Sequence, residues 1–140
     1  MTPYYRSRSS LDQIALDSIF EEAWQDVVDS WESENVGREA IELTLRFMED
    51  NPNIDYGAPG PLAYFMERFH GQGYEEALIA SIRRHPTPHT VWLLNRLING
   101  TRDIQQYEPR VLVLRDVLAH QPASGETRSG AADFFKRLDG

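Results

Sequence analysis

The stretch QIALDSIFEEAWQDVVDSW, residues 13–31, decides the fold class. Laid out at about 100° per residue, Leu16, Ile19, Phe20, Ala23, Trp24, Val27 and Trp31 fall on one face. Ser18, Glu22, Gln25, Asp26, Asp29 and the following Ser33 fall on the other. A half-buried strand needs strict alternation with period two, and no segment of the chain shows it. The pattern predicts an amphipathic helix that buries two tryptophans.

Outward from that helix, the same periodicity recurs. After Gly37 a second helix turns Ala40, Ile41, Leu45 and Met48 inward, with Leu43 and Phe47 widening the stripe. It is expected to stop near Asp50, because Pro52 disfavours helical geometry in the residue before it. Asn51–Gly60 reads as a loop around Tyr56. Pro61 suits a first helical turn, where its missing N–H costs nothing. Leu62, Phe65, Met66 and Phe69 continue that helix until Gly71 and Gly73 end it and start another, which turns Tyr74, Ala77, Leu78, Ser81 and Ile82 inward.

Thr87 and Pro88 read as N-cap and first residue of a helix over His89–Asn99. Val91, Leu93, Leu94, Leu97 and Ile98 spread so widely around it that it is expected to be the most buried, with Gly100 as its C-terminal cap. Residues 111–114, VLVL, suit a strand in isolation. Leu114, Val117 and Leu118 at helical spacing, and the lack of a partner strand, place them in a helix over Glu108–His120. Gln121–Gly130 reads as a linker and Ala131–Leu138 as a short last helix.

The fold is therefore expected to be all-α, with six or seven helices in three antiparallel hairpins over residues 13–49, 61–84 and 88–120. Residues 1–12 form an N-terminal arm, and residues 121–140 a linker and helix packed on the same domain. Such pairs stack as a short HEAT-like solenoid or close into a compact bundle; both arrangements stay open, since the units share no repeated motif.

Composition then bounds the function. A chain of 140 residues suits one domain. No apolar run approaches the ~20 residues of a membrane helix, so no membrane association is expected. The opening MTPYYRSRSS lacks the apolar region of a secretory signal, which suggests a cytoplasmic protein. With no cysteine there is no disulfide, thiolate metal site or cysteine nucleophile. Fourteen basic residues against 22 acidic ones give a net charge of −8, which argues against nucleic acid as a partner. The charge is also uneven: residues 1–56 hold 13 acids and 4 bases, net −9, and residues 57–140 hold 9 acids and 10 bases, net +1.

Catalytic parts do not assemble from the sequence. His85 and His89 have a metal-ligand spacing, but Pro86 and Pro88 keep them off a common helical face. The adjacent carboxylates Glu21-Glu22, Glu49-Asp50 and Glu75-Glu76 diverge by about 100° on a helix, whereas acid–base pairs must converge. There is no G-x-S-x-G elbow and no phosphate-binding glycine loop. No catalytic residue, metal or cofactor is assigned, and the chain is not expected to be an enzyme.

Three features remain as candidates for partner binding. Glu22, Asp26 and Asp29 lie within about 60° of one another on the first helix, with Glu21 and Glu32 on the border. No Lys or Arg occurs between Arg8 and Arg38 to compensate them. Like charges at that spacing cost a few tenths of a kcal/mol each, so a cationic partner suits the face. Next, Trp92, Asn95, Arg96 and Asn99 share one side of a later helix. They either tie it to the carbonyls of the Asn51–Gly60 loop or read a partner. Finally, Tyr56, with Asn53 and Asp55, is either an exposed contacting tip or a ring folded back over the hairpin junction.

Gly60-Pro61-Leu62, then Tyr74, Leu78, Ser81, Arg84 and Pro86, then the run Thr90-Val91-Trp92-Leu93-Leu94-Asn95-Arg96-Leu97-Ile98-Asn99 resemble small helical immunity proteins of bacterial polymorphic-toxin systems, contact-dependent or type VI-delivered. The similarity spans about 40 of the 140 residues. It implies an inhibitor that occludes a cognate toxin with a basic surface, many such toxins being nucleases. The alternative from another class is a HEAT-like adaptor joining two protein partners without a toxin.

Overall fold

In the computed structural model, residues 21–54, 56–57, 60–119 and 124–139 are described. The arm at 1–12, the first turns read at 13–20 and the segment 120–123 lie outside them. The protein is all-α: seven helices and no strand occur among the described residues. The chain divides into two compact units, up to Ala77 and from Leu78 onward.

The first unit is organised by aromatic rings. Helix α1 (Glu21–Ser33) buries Trp24, Val27, Val28 and Trp31. Trp24 meets Phe47 of α2 (Glu39–Asp50) edge-on, with centroids 6.1 Å apart. Trp31 packs at 5.2 Å on Phe65 of α3 (Gly60–Glu67), and Phe65 in turn meets Phe69 at 5.4 Å. Helix α1 lies directly on α3. Each such pair adds roughly 0.5–1.5 kcal/mol beyond the area it buries.

The link from α1 to α2 is a Schellman turn. Val36 N–H bonds the Trp31 carbonyl at 2.7 Å and Asn35 N–H the Glu32 carbonyl at 3.2 Å. Asn35 takes the left-handed φ of 59° that this motif requires, and Val36 is buried. In α2, eight of twelve residues are buried, against six of twelve in α5 (Pro88–Asn99). The helix expected to be most buried is therefore not the most buried one: Thr44 and Glu49 join the apolar face of α2. The Thr44 hydroxyl is admitted because it donates to the Ala40 carbonyl at 2.7 Å.

Helix α3 ends earlier than the glycines suggest. Its chain tightens after Glu67 into N–H bonds three residues back, from Arg68 to Phe65, Phe69 to Met66 and His70 to Glu67. Gly71 at φ 75° and Gly73 at φ 108° then reverse the chain in conformations that side chains rarely adopt, and α4 (Tyr74–Arg84) follows.

In the second unit, α5, α6 (Ile104–Leu118) and α7 (Gly125–Asp139) pack on one another. Leu93, Leu94, Ile98, Val113, Leu114, Val117 and Ala131 are buried there. Every one of these helices opens on a hydroxyl or carboxylate cap. Thr87 and Thr90 form a reciprocal capping box, the Thr87 hydroxyl accepting from Thr90 N–H at 3.2 Å and Thr90 Oγ1 from Thr87 N–H at 3.0 Å.

Two of the expected starts move. Helix α6 begins at Ile104, not Glu108, because the Asp103 carboxylate accepts Gln105 N–H at 2.9 Å and its carbonyl accepts the next two N–H groups. Pro109 thus stands inside the helix, one turn beyond an exposed Gln105 whose carbonyl it leaves without a helical donor. Helix α7 begins at Gly125, not Ala131, because Ser124 Oγ accepts Thr127 N–H at 3.1 Å. Gly100 does cap α5, but at φ −90°, so the left-handed freedom of glycine is unused there. Accordingly, Thr87→Ala is expected to lower the unfolding free energy in urea by about 1–2 kcal/mol. Gly100→Ala, whose Cβ would meet Arg96 O at an ordinary 3.5 Å, should leave stability unchanged or raise it by up to about 1 kcal/mol.

Candidate partner-binding surface

Because α1 turns Trp24 and Trp31 inward, the residues between them that point the other way are committed to solvent. Asp26, Asp29 and Glu32 are all exposed. Glu22 lies in the first turn of α1, and its side chain is outside the described residues. Asp26 meets no cation among the described residues, and Asp29 accepts only the Gln25 amide, at 2.9 Å. Two uncompensated carboxylates one helical turn apart make a local negative field at the surface.

Glu32 differs. Its carboxylate is paired with Arg68, 36 residues further along in the α3–α4 turn, whose guanidinium also lies 5.8 Å from the centre of the Phe65 ring. The sequence offered no base within a helical turn of Glu32; folding supplies one. Both partners are largely exposed, so the pair contributes at most about 1 kcal/mol. Arg38 strengthens the same junction by donating to the Gln72 carbonyl at 3.2 Å.

Tyr56 is not an exposed tip. Only 1% of it is accessible, its ring lies 5.5 Å from Trp24 and 6.4 Å from Phe47, and its hydroxyl donates to the Asn51 carbonyl at 2.8 Å. The assignment of Tyr56 to a partner surface is corrected: the ring completes the core of the first unit. Its hydroxyl also satisfies a loop carbonyl. Neither the Asn95 nor the Asn99 amide makes a side-chain hydrogen bond among the described residues.

On α5, Trp92 is half-buried between two neighbours. His89 stacks on it at 5.3 Å and 27°, and the Arg96 guanidinium lies 5.3 Å from the ring on the next turn. Asn95 is half-buried and Asn99 exposed. Sequence reasoning left His89 out of this group, although its spacing from Trp92 and Arg96 (i, i+3, i+7) places all three on one face. The stripe carries indole, imidazole, guanidinium and amide groups, and α5 has no acidic residue.

A further polar cluster stands at the start of α4. Glu75 reaches back to accept Gly71 N–H with both oxygens at 3.0 Å, beside His70 Nδ1 at 3.4 Å. Burial raises its carboxyl, but hydrogen bonds from its own N–H and that of Gly71, with His70 alongside, hold it below the usual carboxylate range. Glu75 thus closes the turn that starts α4. No group of three metal-ligating side chains converges among the described residues. A cavity of about 90 Å³ lined by Ile82, Arg83, Val113, Asp116 and Val117 is far below the few hundred Å³ of an ordinary small-molecule site. No described helix is long and apolar enough to cross a membrane.

Comparison with protein-family models, with curated proteins and with solved structures finds no match to this chain.

Two expectations follow from this geometry. Tyr56→Phe should cost about 1 kcal/mol through the lost hydroxyl bond and Tyr56→Ala about 3–5 kcal/mol through the emptied core, both read from denaturant midpoints. Glu75 has a depressed folded-state pKa, so its stabilisation is present above the ordinary carboxylate range and disappears as pH falls through the folded value. Glu75→Gln should therefore be less stable than the parent at pH 7, with the two melting curves converging at strongly acidic pH.

Proposed function

We propose that this chain is an immunity-type inhibitor, which binds a cognate bacterial toxin with a basic surface and blocks it by occlusion in the cytoplasm. The observation that carries the reading is the outer face of α1, where Asp26 and Asp29 stand exposed and uncompensated. A negative patch attracts a cationic cleft from a distance and accelerates encounter. The resemblance of the Gly60–Asn99 region to helical immunity proteins supports the same reading. The α5 stripe around Trp92 and Arg96 adds the aromatic and guanidinium groups that concentrate binding energy at interfaces. Neither surface needs a reaction step; inhibition follows from holding a substrate-binding cleft closed to its substrate.

The test is co-expression with a secreted toxin whose gene adjoins that of this chain; absence of such a gene argues against the reading. Co-expression is expected to protect cells, and Asp26→Lys/Asp29→Lys is expected to slow association about tenfold or more at low salt, with the difference shrinking at high salt. Lack of protection by the parent chain would overturn the reading. Rates equal to the parent's at every salt concentration would remove the acidic face from it.

A further inference from the structure

Helix α6 has a second apolar face that stays partly exposed. Its inner side buries Val113, Leu114 and Val117. On the outer side Ile104, Glu108, Val111, Leu112, Arg115 and Leu118 fall within about 120° of one another. Ile104 is 71% exposed and Leu112 45%; Val111 and Leu118 are half-buried. A single exposed aliphatic residue is ordinary on a protein surface, but two exposed ones with two half-buried ones between and beside them on one helical stripe make a continuous apolar surface.

The two charges on the stripe say what fits it. Glu108 and Arg115 have opposite sign, stand two turns apart, and are equally far from the midpoint between Val111 and Leu112. If a second copy of α6 is laid across the first in antiparallel sense, a two-fold axis passes through that midpoint. Glu108 then faces the partner subunit's Arg115, and the reverse pair forms at the other end. A parallel arrangement would instead set like charges against each other. Arg115 is free for this: its neighbour Asp116 is 3.9 Å away and both are more than half exposed, a weak pair. Glu108 has no ion pair among the described residues.

We propose that the outer face of α6 is the interface of a two-fold symmetric, antiparallel dimer of this chain. Self-complementary patches are what two-fold interfaces require, because each residue meets its symmetry mate's counterpart. Fifteen helical residues span about 22 Å, and one such helix pair covers less than the roughly 800 Å² per partner of a standard stable interface. The dimer is therefore weak, with a dissociation constant in the micromolar range or above, and forms with rising concentration.

Sedimentation of the full chain from about 10 μM to about 1 mM tests this. The weight-average mass is expected to rise from monomer toward dimer. Glu108→Arg and Arg115→Glu should each weaken association roughly tenfold or more, since each sets like charges in contact. An equimolar mixture of those two variants should associate as the parent does, because in the mixed pair every charge again meets its opposite. Leu112→Asp should leave only monomer. Circular dichroism and melting are expected to stay close to the parent, since these side chains are on the surface. A monomeric parent throughout the range, or a mixture no tighter than either variant alone, would overturn the proposal. No other partner is present, so the result is independent of toxin neutralisation.

Discussion

The packing of Trp24 against Phe47 and Tyr56 is the contact on which the first unit depends. It joins a residue of α1, a residue of α2 and a residue of the loop beyond, so three segments distant in sequence share one buried set of rings. Aromatic side chains bury about 150–250 Å² each, more than any other residue here can offer. The Tyr56 hydroxyl extends the effect: by donating to Asn51 it lets the loop close over the core without stranding a carbonyl. The same contact sets the functional geometry. With Trp24 facing inward, Asp26 lies about 200° around the helix and Asp29 about 140°, so both must point outward. The acidic surface is a consequence of the aromatic core.

The second unit follows a different rule. Its helices are each started by a side chain that supplies the acceptor an N-terminal turn lacks: Thr87, Asp103 and Ser124. These caps explain why α6 and α7 begin where they do even though proline and glycine lie inside them. Local hydrogen bonding outweighed the breaker residues. In α6 this extends the helix by one turn beyond the apolar core, and the outer stripe from Ile104 to Leu118 is the result.

Helix identity was legible in residues whose burial repeats every three or four positions: Leu62, Phe65 and Met66, or Ala40, Ile41, Leu45 and Met48, are all buried as their spacing requires. Helix ends were less legible. Pro52 correctly marks the end of α2, because proline restricts its neighbour in any context. Gly125 and Gly130 were misleading, because a glycine weakens a helix by only about 1 kcal/mol and a Ser124 cap with the packing of Ala131 offsets it. Gly100 was half-legible: it stands at the cap, but not in the conformation that makes glycine necessary.

For the candidate surface, the sequence by itself determined the outward acidic face of α1, since helical periodicity alone separates Asp26 and Asp29 from Trp24 and Trp31. It also determined the capping of α5 by Thr87, which needs only three neighbouring residues. Tertiary structure decided what involves distant partners. It withdrew Tyr56 from the surface by giving it Trp24 and Phe47, and it neutralised Glu32 with Arg68 across 36 positions. The division has one physical cause: covalent spacing and backbone hydrogen bonding act within a few residues, whereas burial and charge pairing depend on groups that only folding brings together.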